Sequence, residues 1–287
     1  MSVFDSISSG AIGPATDQKP SYRVACTEVW GGNNVADDFV EVPGLRGWVH
    51  SRPLEPSTTG GDVYYFSVCD KGLLSRVVLA DVKGHGETVG AIAAMLQRLL
   101  RKHMNTVDQS VLMREISDAF GGENDGSIRY ATAAVLGYHC KTGELVFANA
   151  GHPPALWYRA SRKTWDWLHE RTPYAVATLA GVPLGLIEGT DYEQTAVQLA
   201  EGDLLILYTD GITECENEAG VELGYDGLLE LVRELPVAPS MATGQALLSA
   251  IQLFQGSARS LDDQSVVVLR QTGGQRLEVA SPGEPHK

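Results

Sequence analysis

Apolar and β-prone residues along this chain gather in short blocks, and several blocks carry an acidic residue at one edge. Gly60-Gly61-Asp62 precedes Val63-Tyr64-Tyr65-Phe66. Val77-Val78-Leu79-Ala80 runs into Asp81, then Val82-Lys83-Gly84-His85-Gly86. Leu204-Leu205-Ile206-Leu207-Tyr208-Thr209 ends in Asp210-Gly211, and Asp262-Asp263 stands before Gln264-Ser265-Val266-Val267-Val268-Leu269. Blocks of this kind predict buried strands. Further strands are expected over residues 22–29, 130–138, 145–149, 155–158, 164–168 and 265–270, with Lys141-Thr142-Gly143 as a hairpin turn.

Helical spacing is just as clear. Val89, Ile92, Leu96, Leu99 and His103 predict an amphipathic helix over residues 87–103. Asp108 is placed to cap a second helix carrying Val111, Leu112, Ile116 and Phe120, which Gly121-Gly122 ends. Residues 225–235 and 242–254 predict two more. Meandering strands interrupted by paired helices give an α+β fold, a mainly antiparallel two-sheet sandwich with helices outside. Residues 1–20 read as a flexible leader, 21–270 as a single domain and 271–287 as a flexible tail, with no attached sensor domain expected.

Composition narrows the function. The chain has 287 residues, 44% of them hydrophobic, enough for a sizeable core, and a formal net charge of −14. That acidity argues against nonspecific binding to nucleic acid or to an anionic membrane. The small basic group Arg98, Arg101, Lys102 and His103 fits the C-terminal end of a helix. The four cysteines, Cys26, Cys69, Cys140 and Cys215, include no Cys-x-x-Cys pair. They read as reduced thiols in a cytoplasmic protein, and a structural zinc site is not expected. No apolar run approaches membrane-spanning length.

The chemistry lies in the acidic landmarks. Carboxylates at the mouths of buried strands repel one another if they converge, unless a cation holds them. Oxygen-only ligands select hard cations, Mg²⁺ or Mn²⁺. Taken alone, Asp62 also reads as a turn residue and Asp262 as a turn cap, whereas Asp81 and Asp210 end apolar runs on a charge with no local structural purpose. Other phosphate chemistries lack their key residues. Tyr208 stands where a haloacid dehalogenase-like enzyme needs its nucleophilic Asp, and neither Gly-x-Ser-x-Gly nor a Walker loop is present.

Taken in order, Gly60-Gly61-Asp62, Asp81-Val82-Lys83-Gly84-His85-Gly86, Asn149-Ala150-Gly151-His152-Pro153-Pro154, Pro183-Leu184-Gly185, Tyr208-Thr209-Asp210-Gly211 and Asp262-Asp263 resemble the SpoIIE/RsbU branch of the metal-dependent (PPM, type 2C-like) serine/threonine protein phosphatases, over about residues 59–269. The resemblance implies an α-β-β-α sandwich and two Mn²⁺ or Mg²⁺ ions, with further ions left open. Asp81 would bridge both ions, the Val82 carbonyl and Asp62 would serve the second, and Asp210 and Asp262 the first. Asp263 is counted with the metal set beside Asp262; the pattern favours Asp262, and which of the two binds directly is left open. Asp81 and Asp62 are the expected catalytic carboxylates, using a metal-bridged hydroxide.

Departures from the pattern matter as well. Animal-type relatives carry a His two residues after the bridging Asp, where this chain has Lys83; the acid role is therefore not carried over to His85, which is expected at the helix entry. Lys83 is expected either to meet the substrate phosphate or to face solvent. His152 is expected to serve the turn around it, and residues 171–195 to fold over the site. The implied partner is a phosphorylated protein, often a small anti-sigma-factor antagonist in bacterial partner switching; homodimerisation is left open. The rivals are a catalytically inactive module of the same fold and a two-metal hydrolase of small phosphate esters. A deep, narrow site would favour the second rival and an open one a protein substrate.

Overall fold

The computed structural model describes residues 22–24, 28–84, 87–121, 129–168 and 181–273. The expected leader, most of the expected tail, Cys26 and His85 lie outside the described residues.

Thirteen strands form two sheets among the described residues. They are β1 (Tyr22–Arg23), β2 (Val29–Asn34), β3 (Ala36–Val42), β4 (Leu45–Arg52), β5 (Thr59–Cys69), β6 (Leu74–Val82), β7 (Ala131–His139), β8 (Glu144–Ala150), β9 (Leu156–Arg159), β10 (Thr164–Trp167), β11 (Gln194–Gln198), β12 (Leu204–Tyr208) and β13 (Gln264–Gln271). The helices are α1 (Glu87–Lys102), α2 (Gln109–Gly121), α3 (Asp210–Thr213), α4 (Gly224–Glu234) and α5 (Ser240–Gln255). One sheet runs β1-β3-β4-β13-β12-β9-β10 and the other β11-β8-β7-β6-β5-β2. Among these strands only β1 and β3 pair in parallel.

The layering is α-β-β-α, and it explains why the strands read as unbroken apolar runs: both faces of each sheet are covered. Along β5, Tyr64 and Phe66 point between the sheets while Val63 and Tyr65 point to the helices. The inter-sheet core takes Val77 and Leu79 from β6, Leu205 and Leu207 from β12, and Val267 and Leu269 from β13. Leu96 and Leu100 of α1 and Leu112, Ile116 and Phe120 of α2 cover one outer face. Leu228 and Val232 of α4 and Leu247 and Ile251 of α5 cover the other. The Asp108 carboxylate caps α2 as expected, accepting from the backbone N–H of Ser110 at 2.9 Å and of Val111 at 3.0 Å.

Three strands go beyond the sequence pattern: β3, β4 and β11. The expected strand over residues 22–29 is in fact two pieces, β1 and the start of β2. β4 pairs with β13 along its whole length. Its Trp48, fully buried, donates from Nε1 to Asp37 at 2.8 Å. Asp62 does not open its strand either, because β5 begins at Thr59.

Candidate metal centre

Strand register gathers the acidic residues. In the β5–β6 pair Asp62 stands directly opposite Asp81. Asp62 shares a face with Tyr64 and Phe66, and Asp81 with Val77 and Leu79, so both point between the sheets at one end of the sandwich. From the other sheet, Thr209 follows Leu205 and Leu207 on the inward face, and Asp263 precedes Ser265 and Val267 on theirs. Asp210 opens the short helix α3 after β12, and Asp262 precedes β13.

Hydrogen bonds fix this meeting of sheets. The Thr209 hydroxyl donates to Asp62 Oδ2 at 2.9 Å and accepts from the Ser265 N–H at 3.0 Å. Asp263, 3% exposed, accepts from the Leu54 N–H with Oδ1 and from the Gly61 N–H with Oδ2, both at 2.6 Å. Both oxygens of Asp263 are thus bound to backbone, and the Gly61 bond crosses from one sheet to the other. Asp262 is half-buried and accepts from the Asp263 N–H at 2.8 Å. The two neighbours differ in kind: Asp263 ties chain segments together, and Asp262 stands at the rim with Asp210.

Glycines permit the close approach. A Cβ on Gly60 would run into the Asp263 carboxylate. One on Gly61 would lie 2.6 Å from the Val82 carbonyl oxygen and 3.3 Å from Asp81 Oδ1. The Val82 carbonyl and the Asp81 carboxylate therefore flank one spot beside Gly61.

The electrostatics are one-sided. Asp81 is pushed up to about 10, first by burial, then by Asp62, Asp210, Asp262 and Asp263. Each charged group that shifts it is another carboxylate. Asp62 is held well above the carboxylate range, first by burial, with hydrogen bonds from Ser265 and Thr209 opposing and Asp263 and Asp210 reinforcing. Burial also raises Asp210, against backbone hydrogen bonds. On its own such a cluster holds protons at neutral pH. A divalent cation supplies the compensating charge and displaces them.

The donors fit Mg²⁺ or Mn²⁺, being carboxylates and a carbonyl, with no imidazole or thiolate among them. Among the described residues no three His, Cys, Asp or Glu side chains already close on one point as a cage. A cation of the Mg²⁺ type does not require one, since it keeps several waters and takes only one or two carboxylates.

Other expected positions fall elsewhere. Lys83 is exposed, its Nζ 5.0 Å from the centroid of the Tyr130 ring. His152 is buried, its Nδ1 2.8 Å from Oγ1 of Thr132, the cross-strand neighbour of Asp81. Asn149 clamps the backbone of His152 by accepting from its N–H at 2.8 Å and donating to its carbonyl at 2.9 Å. Burial pushes the His152 imidazole down to about 3, against a backbone hydrogen bond with Tyr208. It is a neutral part of the turn. Of residues 171–195, the described part is strapped to α2: Ser117 Oγ accepts from the Gly185 N–H at 2.9 Å and bonds the Tyr192 hydroxyl at 3.0 Å.

Glu214 joins the group without having been read from the sequence. Its carboxyl is raised by burial, then by Asp210, Glu222 and Asp262. The signal was present as helical spacing from Asp210, whose carbonyl accepts from the Glu214 N–H at 2.7 Å. Neither of the two best-formed cavities touches the carboxylates. One, of about 410 Å³, is lined by Lys163, Trp165 and Arg233, and one, of about 270 Å³, by Tyr22 and Trp30. At the end of the sandwich Asp62 and Asp263 are buried, and Asp81, Asp210 and Asp262 are half-buried.

The two-sheet sandwich with helices outside matches PP2C-type phosphatase domains. The fold matches the PP2C phosphatase domain, with a fragment of the regulatory domain, of the cell fate determinant SpoIIE from Bacillus subtilis, at a TM-score of 0.65 and 19% identity, covering 80% of this chain and 64% of that one. It also matches the catalytic domain of the serine/threonine protein phosphatase PstP in complex with two manganese ions, at a TM-score of 0.54 and 16% identity, covering 79% and 98%. Residues 74–272 match the family described as Stage II sporulation protein E (SpoIIE), and the chain belongs to that family. Among curated proteins it is similar to the phosphoserine phosphatase RsbP of Bacillus subtilis (strain 168), 26% identical over 217 residues. That alignment covers 74% of this chain and 49% of RsbP, so the chain spans about half the length of that relative.

Proposed function

We propose that this protein is a metal-dependent protein phosphatase that hydrolyses phosphoserine or phosphothreonine on a protein partner. The observation that carries this reading is the convergence of Asp62, Asp81, Asp210 and Asp262 at one end of the sandwich, where burial and then other carboxylates raise Asp81. Asp81, Asp62 and the Val82 carbonyl would hold one cation, and Asp81, Asp210 and Asp262 the other. When bound, two such ions supply Lewis-acid activation of water and neutralise the phosphoryl oxygens.

The chain's own residues prepare that site. Thr209 orients Asp62 by its hydroxyl, and Asp263 fixes the Gly60-Gly61 backbone against Asp81 and Val82. A role for Asp263 as tether rather than ligand follows from its two backbone bonds.

Exposed apolar residues near the carboxylates favour a protein substrate over a small ester. Leu186 and Ile187 lie exposed two and three residues past Leu184, which pairs with Ala131, the cross-strand partner of Val82; exposed Leu261 adjoins Asp262. Apolar side chains so placed can meet the surface around a phosphorylated residue. A phosphorylated anti-sigma-factor antagonist in a bacterial partner-switching circuit is the proposed partner, in line with RsbP being named a phosphoserine phosphatase. A cytoplasmic setting is proposed; Cys69, Cys140 and Cys215 are free thiols, and no helix among the described residues is long and apolar enough to cross a membrane.

Turnover of p-nitrophenyl phosphate tests the chemistry. The protein should be active with Mn²⁺, silent in chelator, and active again when Mn²⁺ is restored. Full turnover after verified metal removal would overturn the reading. Faster hydrolysis of free phosphoserine than of a folded phosphoprotein would move it to the small-ester hydrolases.

A further inference from the structure

We infer that Asn33 is a positioning residue of the carboxylate centre, its side-chain amide holding the Gly60-Gly61 segment against the first turn of α1. This rests on the metal-centre reading above. Asn33 Nδ2 donates to the Gly60 carbonyl at 3.1 Å and to the Gly90 carbonyl at 3.0 Å. Gly60 lies on β5, two residues before Asp62, and Gly90 lies in α1, the next helix after β6. One amide thus ties the start of β5, where Gly61 lies against the Val82 carbonyl and the Asp81 carboxylate, to the first turn of α1.

Local structure aims the side chain there. The β2–β5 pairing runs Gly32 to Tyr64 and then jumps to Asn34 opposite Thr59, so the ladder is irregular at Asn33. Such an irregularity re-aims a side chain that regular pleating would direct elsewhere. The helix comes close enough because residue 90 is glycine: a Cβ there would stand 2.6 Å from Thr59 Oγ1.

The residue type fits the task. Two carbonyls need two N–H donors from one atom, and a carboxamide nitrogen provides them. An aspartate of the same shape offers no donor and sets negative charge against both carbonyls. A serine keeps a single donor. The tether continues across the molecule, because the next residue, Gly61, donates to Asp263, which also holds Leu54. Asn33 secures the second sheet to α1, and Asp263 secures it to the first sheet. Partners that orient metal ligands from behind are worth about 10–100-fold in metal affinity.

The test is calorimetric titration of Mn²⁺ into chelator-treated protein, with circular dichroism and thermal melting of the metal-free forms. Asn33→Asp should weaken Mn²⁺ binding about tenfold or more, and Asn33→Ser should fall between it and the unaltered protein. Binding by Asn33→Asp indistinguishable from the unaltered protein, even with a lowered melting temperature, would make Asn33 a plain structural residue and overturn the inference. Should Asn33→Asp fail to fold, Asn33→Ser decides: weakened binding supports the inference and unchanged binding overturns it. An unaltered protein that takes up no Mn²⁺ would overturn the metal-centre reading, and this inference with it.

Discussion

Arg76 and Asp81 stand five residues apart on β6, the first fully buried and the second half-buried, and they teach opposite lessons. Arg76 faces the helical layer and is fully buried. Its guanidinium donates to the carbonyls of Met104, at 2.8 Å, and Thr106, both in the α1–α2 connection. Burial pulls its pKa down, with nearby Cys69 and Tyr65 opposing. Asp81 faces the gap between the sheets, among carboxylates that all push it the same way. Arg76 is matched by neutral acceptors and serves the fold. Asp81 has no such match, and the proposed ion is what would supply one. A buried charge is read from the company it keeps, not from its burial.

The largest expected effect separates the two on function. Asp81→Asn should cut Mn²⁺-supported turnover of an aryl phosphate about a thousandfold, the several kcal/mol that metal assistance supplies. Steady-state assays at saturating Mn²⁺ check this, and near-normal turnover would break the comparison. Arg76→Met should do the reverse, lowering stability by about 3 kcal/mol, because two buried carbonyls lose their donor, while leaving Mn²⁺ affinity unchanged. Urea denaturation and metal titration read the two halves of that prediction.

A smaller effect is expected at Thr209. Thr209→Val removes the hydroxyl that orients Asp62 but keeps the side chain's shape, and should weaken Mn²⁺ binding about tenfold. An unchanged binding isotherm would show that Asp62 needs no such support.

The smallest effect is one of sign. In the metal-free protein Asp81 is raised from its ordinary 3.8 to about 10. Below pH 3.8 it is protonated in both states and has no effect on stability. As pH climbs toward 10 the unfolded chain releases this proton and the folded one keeps it, so stability falls across that window. Asp81→Asn removes that loss, and metal-free Asp81→Asn should melt on the order of 3 °C higher at pH 8. The ordering should reverse with Mn²⁺ present, since only the unaltered protein gains from binding the ion. Scanning calorimetry with and without Mn²⁺ checks both directions.

The same contrast explains what was legible in the sequence. Asp81 and Asp210 stand out because they interrupt apolar runs, and that signal is local. The helix stripes of α1 and α2 are local too. β3 and β4 escaped because Asp37, Asp38, Glu41, Arg46, His50 and Arg52 break up their apolar residues. β11 is largely exposed and has little apolar content to detect. The tethers could not be read at all. Asp263 reaches Gly61 across 202 residues, and Asn33 reaches Gly90 across 57, so nothing in the local sequence distinguishes Asp263 from Asp262 or marks Asn33. Residues that would hold ions announce themselves by violating a local pattern, whereas those that hold them in place are defined only by the folded contacts.

The central claim is that the gathered carboxylates form a two-ion centre, and anomalous diffraction at the manganese edge from Mn²⁺-soaked crystals tests it most directly. The account predicts two ions at this end of the sandwich, with Asp81 between them, Asp62 and the Val82 carbonyl on one, and Asp210 and Asp262 on the other. Well-ordered crystals with no anomalous peak among these residues, or with the manganese held elsewhere, would contradict it.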